Sequence, residues 1–342
     1  MNVCVLGMGK IGHGTAAALV NRGMAVTCWT RDPQKAQTLN AHGITVSGAL
    51  CGNFPVRATT EIGIAAQNDL LVVTTTAQGH RPLAERLRGH LKEGQRILII
   101  TGNWGAYEFY SVLREEARAK GVVIGETSGN LAAVPRLTDP ATIFLKPSKR
   151  AIDFATIPSA AAAETALALK EAFPQLCPVK NVLTTSLNST NPPVHVPVAL
   201  FNITRIANGE DALFYETGLP PVLSSFLMAA DGERVAVGRA VGADVDPVLE
   251  LMNRAWQSSY EDLRTLGMEN ESLKSVRLPK DIRHRFLTED VPFGLLPVVQ
   301  LGLRYGVPTP RTSLMVEAYR YLLLDGAEPE GPRFDLPLEE VL

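Results

Sequence analysis

An apolar, strand-like opening segment, Met1 to Leu6, gives way directly to Gly7-Met-Gly9-Lys-Ile-Gly12, and a helix-compatible run from Gly14 to Arg22 follows. G-x-G-x-x-G alone is a weak pattern, but strand, loop and helix in that order make it a dinucleotide-binding fingerprint. Gly7 permits the tight turn, Gly9 lets the backbone approach a pyrophosphate, and Gly12 lets helix pack closely on strand, with the phosphates facing the helix N-terminus. Lys10 and Ile11, between the last two glycines, count with them as cofactor-binding positions.

The next segment decides which dinucleotide. Met24-Ala-Val-Thr-Cys-Trp29 reads as a buried strand. An NAD-binding fold places a ribose-binding acid just past it, whereas this chain has Thr30 and Arg31, which suit a 2′-phosphate. Asp32 competes for that role, since it lies at a similar distance from the last glycine. Asp32-Pro33 ahead of Gln34 to His42, however, looks like an N-cap with proline at the first helical position. The reading favours NADP(H) and leaves NAD(H) as the alternative.

Beyond this point strands and helices alternate. Asp69 to Thr75, Arg96 to Thr101 and Gly121 to Glu126 read as strands, Arg81 to Leu91 as an amphipathic helix, and alanine-rich Ala160 to Ala172 as another helix. Such alternation argues an α/β, Rossmann-type doubly wound parallel sheet with helices on both faces. Thr74 to Ala77 and Thr101 to Asn103 then lie at carboxyl ends of strands, where ligands bind in open α/β sheets; Thr75 and Thr76 are the expected cofactor contacts among them.

A chain of 342 residues exceeds what one core usually holds. After about residue 180 the spacing turns helical, over Pro197 to Ala207, Val222 to Val241, Val248 to Thr265, Leu295 to Tyr305 and Thr312 to Leu324. The expected plan is an NADP(H)-binding domain over 1–180 and a mainly α-helical substrate and catalytic domain over 181–342, with the boundary near Pro174 to Pro178.

A net charge of −2 offers no electrostatic case for nucleic acid or an anionic membrane. No unbroken apolar run of about eighteen residues suggests a membrane span. The first strand runs straight into the nucleotide loop with no export signal, so a cytoplasmic protein is expected. Cys4, Cys28, Cys51 and Cys177 lack metal-ligand spacing, no metal is expected, and the four read as buried thiols of a reducing compartment.

The second half carries the chemistry. Asn191-Pro-Pro-Val-His195-Val-Pro holds an isolated histidine, and Arg285-Phe-Leu-Thr-Glu-Asp290-Val-Pro-Phe-Gly294 holds an arginine and a carboxylate. Each has a bland reading. His195 could bond a helix cap, Arg285 could be a surface charge of the cluster Lys280 to Arg285, Asp290 could be the acidic first turn of a helix near Pro292, and Asn191 could be turn chemistry. Asp231, Glu233 and Arg234 read as a structural network on one helix, and His284 as a surface residue.

Taken together, the fingerprint, Glu126-Thr-Ser, the histidine segment, Asp231-Gly-Glu-Arg234 and the Glu-Asp-Val-Pro-Phe-Gly segment resemble the octopine/nopaline (opine) dehydrogenases over nearly the whole chain. The resemblance implies an oxidoreductase in which a 2-keto acid and the amine of an amino acid condense to an imine that is reduced by hydride. It also implies that His195 is the acid/base group, that Asp290 orients it, and that Arg285 is a candidate clamp for a substrate carboxylate; Asn191, beside the histidine, is read separately as positioning the histidine loop or contacting a substrate. Histidine suits proton transfer near neutrality, a carboxylate on its other nitrogen fixes the tautomer, and an arginine fork matches a carboxylate. Many members have proline directly after the histidine; here Val196 intervenes, which leaves the substrate preference open.

Two other readings stand beside this one: a ketopantoate-type or 2-hydroxy-acid reductase needing no amine, for which Lys180 is a poor catalytic lysine, and a non-catalytic NADP-binding sensor. The apolar helix around Val222 to Ala230 is compatible with a homodimer or with a core.

Overall fold

The computed structural model describes residues 1–134 and 136–341. They form two compact units, one of Met1–Thr185 together with the C-terminal segment from Phe334, the other of Ser186–Arg333.

In the first unit, β1 (Asn2–Leu6), β2 (Ala25–Trp29), β3 (Ile44–Gly48), β4 (Gly52–Phe54), β5 (Arg57–Thr59), β6 (Leu70–Val73), β7 (Arg96–Ile99), β8 (Val123–Thr127), β9 (Arg136–Asp139), β10 (Thr142–Leu145), β11 (Ile152–Ile157) and β12 (Leu176–Pro178) make two sheets. The larger has the order β12-β11-β8-β7-β6-β1-β2-β5. Its neighbours run parallel except β11, which pairs antiparallel with β8. The chain leaves β1 towards β2 and returns to β6 on its other side, so the strand order reverses beside β1. That reversal opens the crevice in which doubly wound sheets bind ligands.

The expected all-parallel sheet is thus corrected at β11, and a second sheet of order β4-β3-β10-β9 is added. Its strands are short, and in β3 only Ile44 and Val46 turn inward, so the alternation is too brief to announce a strand. Helix Lys10–Asn21 packs against β2 on one side and against β3 and β10 on the other. It begins at Lys10, which places Gly12 and Gly14 inside the helix. The alanine-rich run breaks into a 3₁₀ turn, Ser159–Ala161, and helix Ala162–Ala168.

The domain boundary also differs from expectation. The units divide between Thr185 and Ser186, and the chain from Phe334 belongs to the first unit. Side-chain chemistry fastens that segment. The Tyr107 hydroxyl donates to Leu336 O and accepts from Leu336 N, both at 2.7 Å. Phe334 stands edge-on to Trp104, Arg81 bridges Glu108 and Asp335, and Arg114 pairs with Glu340. Contacts more than two hundred residues apart in the chain leave no local periodic signal.

The second unit is helical, as expected. Helices Asn191–Phe201, Pro221–Ala240, Leu296–Tyr305 and Pro310–Leu323 surround a core that includes Val198, Leu227, Val291 and Met315. The expected helix over 248–265 is two, Val248–Trp256 and Leu263–Glu269, separated after Gln257 takes a left-handed φ of 52°. Leu223, Leu227 and Ala230 are core, while Val222 is exposed.

Asp231, Glu233 and Arg234 are the structural network expected of them. Arg234 donates to Asp231, Leu187 O and Asp246 O, and Asp231 accepts the amide of Val248. Glu233 accepts the amides of Arg311 and Thr312, capping the last long helix. The run Arg285–Tyr305 is long and apolar enough by composition to cross a membrane, but 61% of its most apolar window is buried within the protein, as in a core helix. Cys4 and Cys28 are buried thiols, with burial pushing Cys28 up to about 12; Cys51 and Cys177, expected to be buried, are exposed.

Candidate active site

The glycine loop is built as its spacing requires. Gly7 has a φ of +107°, and a Cβ on Gly12 would lie 1.9 Å from the carbonyl oxygen of Gly7, so the helix can approach the strand only because Gly12 has no side chain. Around the position of a Cβ on Gly9 there is open space to 4 Å. This is the exposed backbone that a pyrophosphate needs at the N-terminus of helix Lys10–Asn21.

A cleft of about 630 Å³ opens over this loop, lined among others by Gly7, Gly9, Thr30, Arg31, Thr75 and Thr76. Asp32 is the helix cap that its sequence setting suggested, since one carboxylate oxygen accepts the amides of Gln34 and Lys35. The cleft also recruits Lys35, whose ammonium donates to Met8 O at 3.2 Å, and Arg86 from helix His80–Leu87. Neither was evident from spacing, because each reaches the cleft from the far end of a helical turn. The residues fit a dinucleotide.

Lys10, Ile11 and the segment Thr101 to Asn103 behave differently from expectation. Lys10 is not among the lining side chains and is exposed; its part is its place at the helix start. Ile11 turns to a separate apolar cavity on the other side of the helix, because helical geometry sends its side chain away from the loop. Thr101 to Asn103 do not line the cleft either. Thr101, Asn103 and Trp104 all have positive φ values, and the Asn103 side-chain amide is buried without a hydrogen-bond partner among the described residues. Such left-handed backbone at non-glycine residues is strained.

In the helical unit, the structure brings His195 and Asp290 together. His195 Nδ1 lies 2.7 Å from Asp290 Oδ2, with 19% of the histidine side chain exposed and none of the aspartate. The aspartate's bland reading as an acidic first turn is therefore replaced by a specific partner. A carboxylate can only accept, so Nδ1 carries the proton and Nε2 is left for chemistry. The imidazole is stacked on Phe286, ring centroids 3.7 Å apart, and edge-on to Phe214 at 5.9 Å. The flat ring is thus held by an aromatic floor and a buried hydrogen bond.

Local sequence explains the framework. Thr190 precedes the helix, and Asn191 and His195 are four residues apart, which puts both on one helix face. Asn191 is half-buried there. Phe286 and Asp290 come from a short helix, Arg285–Thr288, followed by a π-helical turn, Val291–Leu295. Single π turns within helices often mark functional sites. His284, expected at the surface, is half-buried, and its Nδ1 accepts the amide of Phe286 at 3.4 Å, a helix cap.

Arg285 donates from Nε to Glu289 at 2.7 Å, and 35% of its side chain is exposed. Burial works against its charge, but the Glu289 and Asp290 carboxylates outweigh it and raise the guanidinium pKa. Glu289 thus engages Nε, on the inner edge of the fork.

Gly294 sets the spacing between the histidine helix and the π turn. A Cβ there would meet Pro192 Cβ and Cγ at 2.3 Å. Gly294→Ala should force the two elements apart and lengthen the His195–Asp290 bond, costing about 1–3 kcal/mol of stability. Thermal unfolding and kcat measured together test this: kcat is expected to fall while the protein is still fully folded.

Comparison with known proteins adds family-level information. Residues 178–323 match the alpha-helical domain of NAD/NADP octopine/nopaline dehydrogenases, and residues 3–133 match ketopantoate reductase PanE/ApbA. An opine dehydrogenase of Arthrobacter sp. (strain 1C) is 31% identical over 332 residues, covering 96% of this chain and 92% of that protein. A vitopine synthase of Allorhizobium ampelinum is 25% identical over 140 residues, 40% of this chain and 39% of that protein. An octopine dehydrogenase structure with NADH and agmatine shares the fold, with a TM-score of 0.77 at 20% identity over 96% of this chain and 92% of that one. The 31% identity to the Arthrobacter opine dehydrogenase along nearly the full length of both chains places this one: it belongs to the octopine/nopaline (opine) dehydrogenase family.

Proposed function

We propose that this protein is an NADPH-dependent opine dehydrogenase that condenses a 2-keto acid with the amine of an amino acid and reduces the resulting imine. The observation that carries the reading is the half-buried His195, hydrogen-bonded to the fully buried Asp290, in the helical unit of a chain whose N-terminal unit has a dinucleotide cleft. A sensor that only bound the cofactor would have no use for a tautomer-fixed histidine.

The chemistry follows from the free Nε2. Nε2 first takes a proton from the substrate ammonium, with Asp290 stabilising the imidazolium that forms, and the freed amine attacks the keto carbon, one nitrogen proton passing to the alkoxide to give the neutral carbinolamine. The same nitrogen returns the proton to the carbinolamine hydroxyl, which leaves as water. A nicotinamide dinucleotide held by the glycine loop and the cleft around Arg31 would supply the hydride for the imine carbon. The terminal nitrogens of Arg285 suit the keto acid's carboxylate, and Asn191, on the histidine's face, can hydrogen-bond a substrate polar group.

The preference for NADPH rests on Arg31, Lys35 and Arg86 at the cleft and on Asp32 being committed to its helix cap. Charge-assisted hydrogen bonds contribute about 1.5–3 kcal/mol each. Arg31→Ala should therefore raise the KM for NADPH by about 10- to 100-fold and leave that for NADH nearly unchanged.

The deciding assay is NADPH oxidation with pyruvate, glyoxylate or 2-oxoglutarate, each with and without a panel of amino acids. Turnover that needs both partners supports the condensation. Turnover with a keto acid alone would instead make the protein a simple reductase, the class its N-terminal unit also resembles. NADPH binding with no turnover on the whole panel would favour the sensor.

A further inference from the structure

His13 lies in the second turn of helix Lys10–Asn21, is fully buried, and plays no part in the chemistry above. Its Nδ1 is 2.7 Å from Gly9 O and its Nε2 is 2.9 Å from Pro140 O. Both partners are carbonyl oxygens, which only accept. A neutral imidazole has one N–H and can satisfy one of them, leaving lone pair against lone pair at the other; an imidazolium satisfies both.

The environment acts on these two forms in opposite directions. Burial lowers the pKa below its ordinary value, the two carbonyls oppose that, and of the charged groups facing the ring Lys35 works with burial and Asp139 against it. The net direction is down, so the protein alone disfavours the form that its own hydrogen bonds require.

A negative charge at the helix N-terminus alters that balance. The Gly9 carbonyl belongs to the Gly9–Lys10 peptide, whose N–H is at the helix end that faces an anion. Protonating His13 polarises this peptide from behind and strengthens its N–H as a donor, and the anion in turn favours the protonated ring.

We propose that His13 is the proton acceptor of cofactor binding, a positioning residue that becomes imidazolium when the pyrophosphate of NAD(P)(H) reaches the glycine loop and that clamps this loop to the β9–β10 turn. The proton comes from solvent, and no bond is made or broken in the cofactor. The proposal rests on dinucleotide binding alone, so failure of the condensation assay leaves it standing.

Titration calorimetry of NADPH binding to the full chain at neutral pH, in buffers of different ionisation enthalpy, counts the protons taken up. Wild type is expected to take up as much as about one proton per cofactor more than His13→Gln, which cancels any contribution from the 2′-phosphate. Its Kd should loosen by up to about tenfold per pH unit as pH rises between the free and bound pKa values of His13, a dependence the variant lacks. A purely structural histidine would change affinity without changing the proton count.

Nitrogen NMR of histidine-labelled wild type, which needs no variant to fold, should show the His13 ring passing from neutral to charged on addition of NADPH. Equal proton uptake in both proteins, a ring with the same charge before and after, or no NADPH binding at all would each overturn the proposal.

Discussion

Replacing His195 with alanine is expected to lower kcat for reductive condensation by about 100- to 10,000-fold, the usual contribution of a positioned acid/base group. NADPH binding should be essentially unchanged, because the glycine loop and the cation-lined cleft belong to the other unit. Alanine also strips Asp290, which is fully buried, of its hydrogen-bond partner, so some loss of stability should accompany the loss of rate. His195→Gln separates the two effects. Its amide can still donate to Asp290 yet cannot shuttle a proton, so it should fold more stably than the alanine variant and be just as inactive. A glutamine variant retaining more than about a tenth of wild-type kcat would remove His195 from the acid/base role.

Asp290→Asn is expected to lower kcat by at least about 100-fold while changing the shape of the site very little. An amide can turn its NH₂ towards His195 Nδ1, which would place the ring proton on Nε2 and leave no base where the substrate binds. The remaining oxygen, Oδ1, is buried and has no partner among the described residues, so nothing there resists the amide's rotation. Measured kcat, read beside the imidazole nitrogen shifts that report the tautomer, tests this. A near-normal kcat with the tautomer reversed would mean that Asp290 serves stability alone.

Several of these features were legible before any coordinates. Gly7, Gly9 and Gly12 announced the loop because backbone geometry at a dinucleotide site excludes side chains at those positions, and the structure shows the 1.9 Å clash that Gly12 avoids. Asp32-Pro33 was readable as a cap because capping is decided within one turn of chain. Asn191 and His195 share a face because four residues is close to one helical turn. The assignment of Asp290 to His195 came from family resemblance, since a separation of 95 residues carries no spacing rule.

Other features needed the fold. Phe286 under the imidazole, Lys35 and Arg86 at the cleft, and the C-terminal segment fastened by Tyr107 follow from which faces happen to pack together. The strand β11 and its antiparallel pairing were not read from the sequence, because a short segment buried along its whole length shows no alternation and carries no sign of its direction.

The sequence by itself determined the two-unit α/β and helical plan, the phosphate-binding loop and the residue types of the acid/base pair, because turn geometry, helical period and capping act over a few residues. Tertiary structure alone decided which His195 nitrogen stays free, which edge of Arg285 Glu289 engages, and why His13 sits between two carbonyls. Those outcomes depend on distances of about 3 Å between groups far apart in the chain, which hydrogen-bond geometry and close packing set only when the chain has folded.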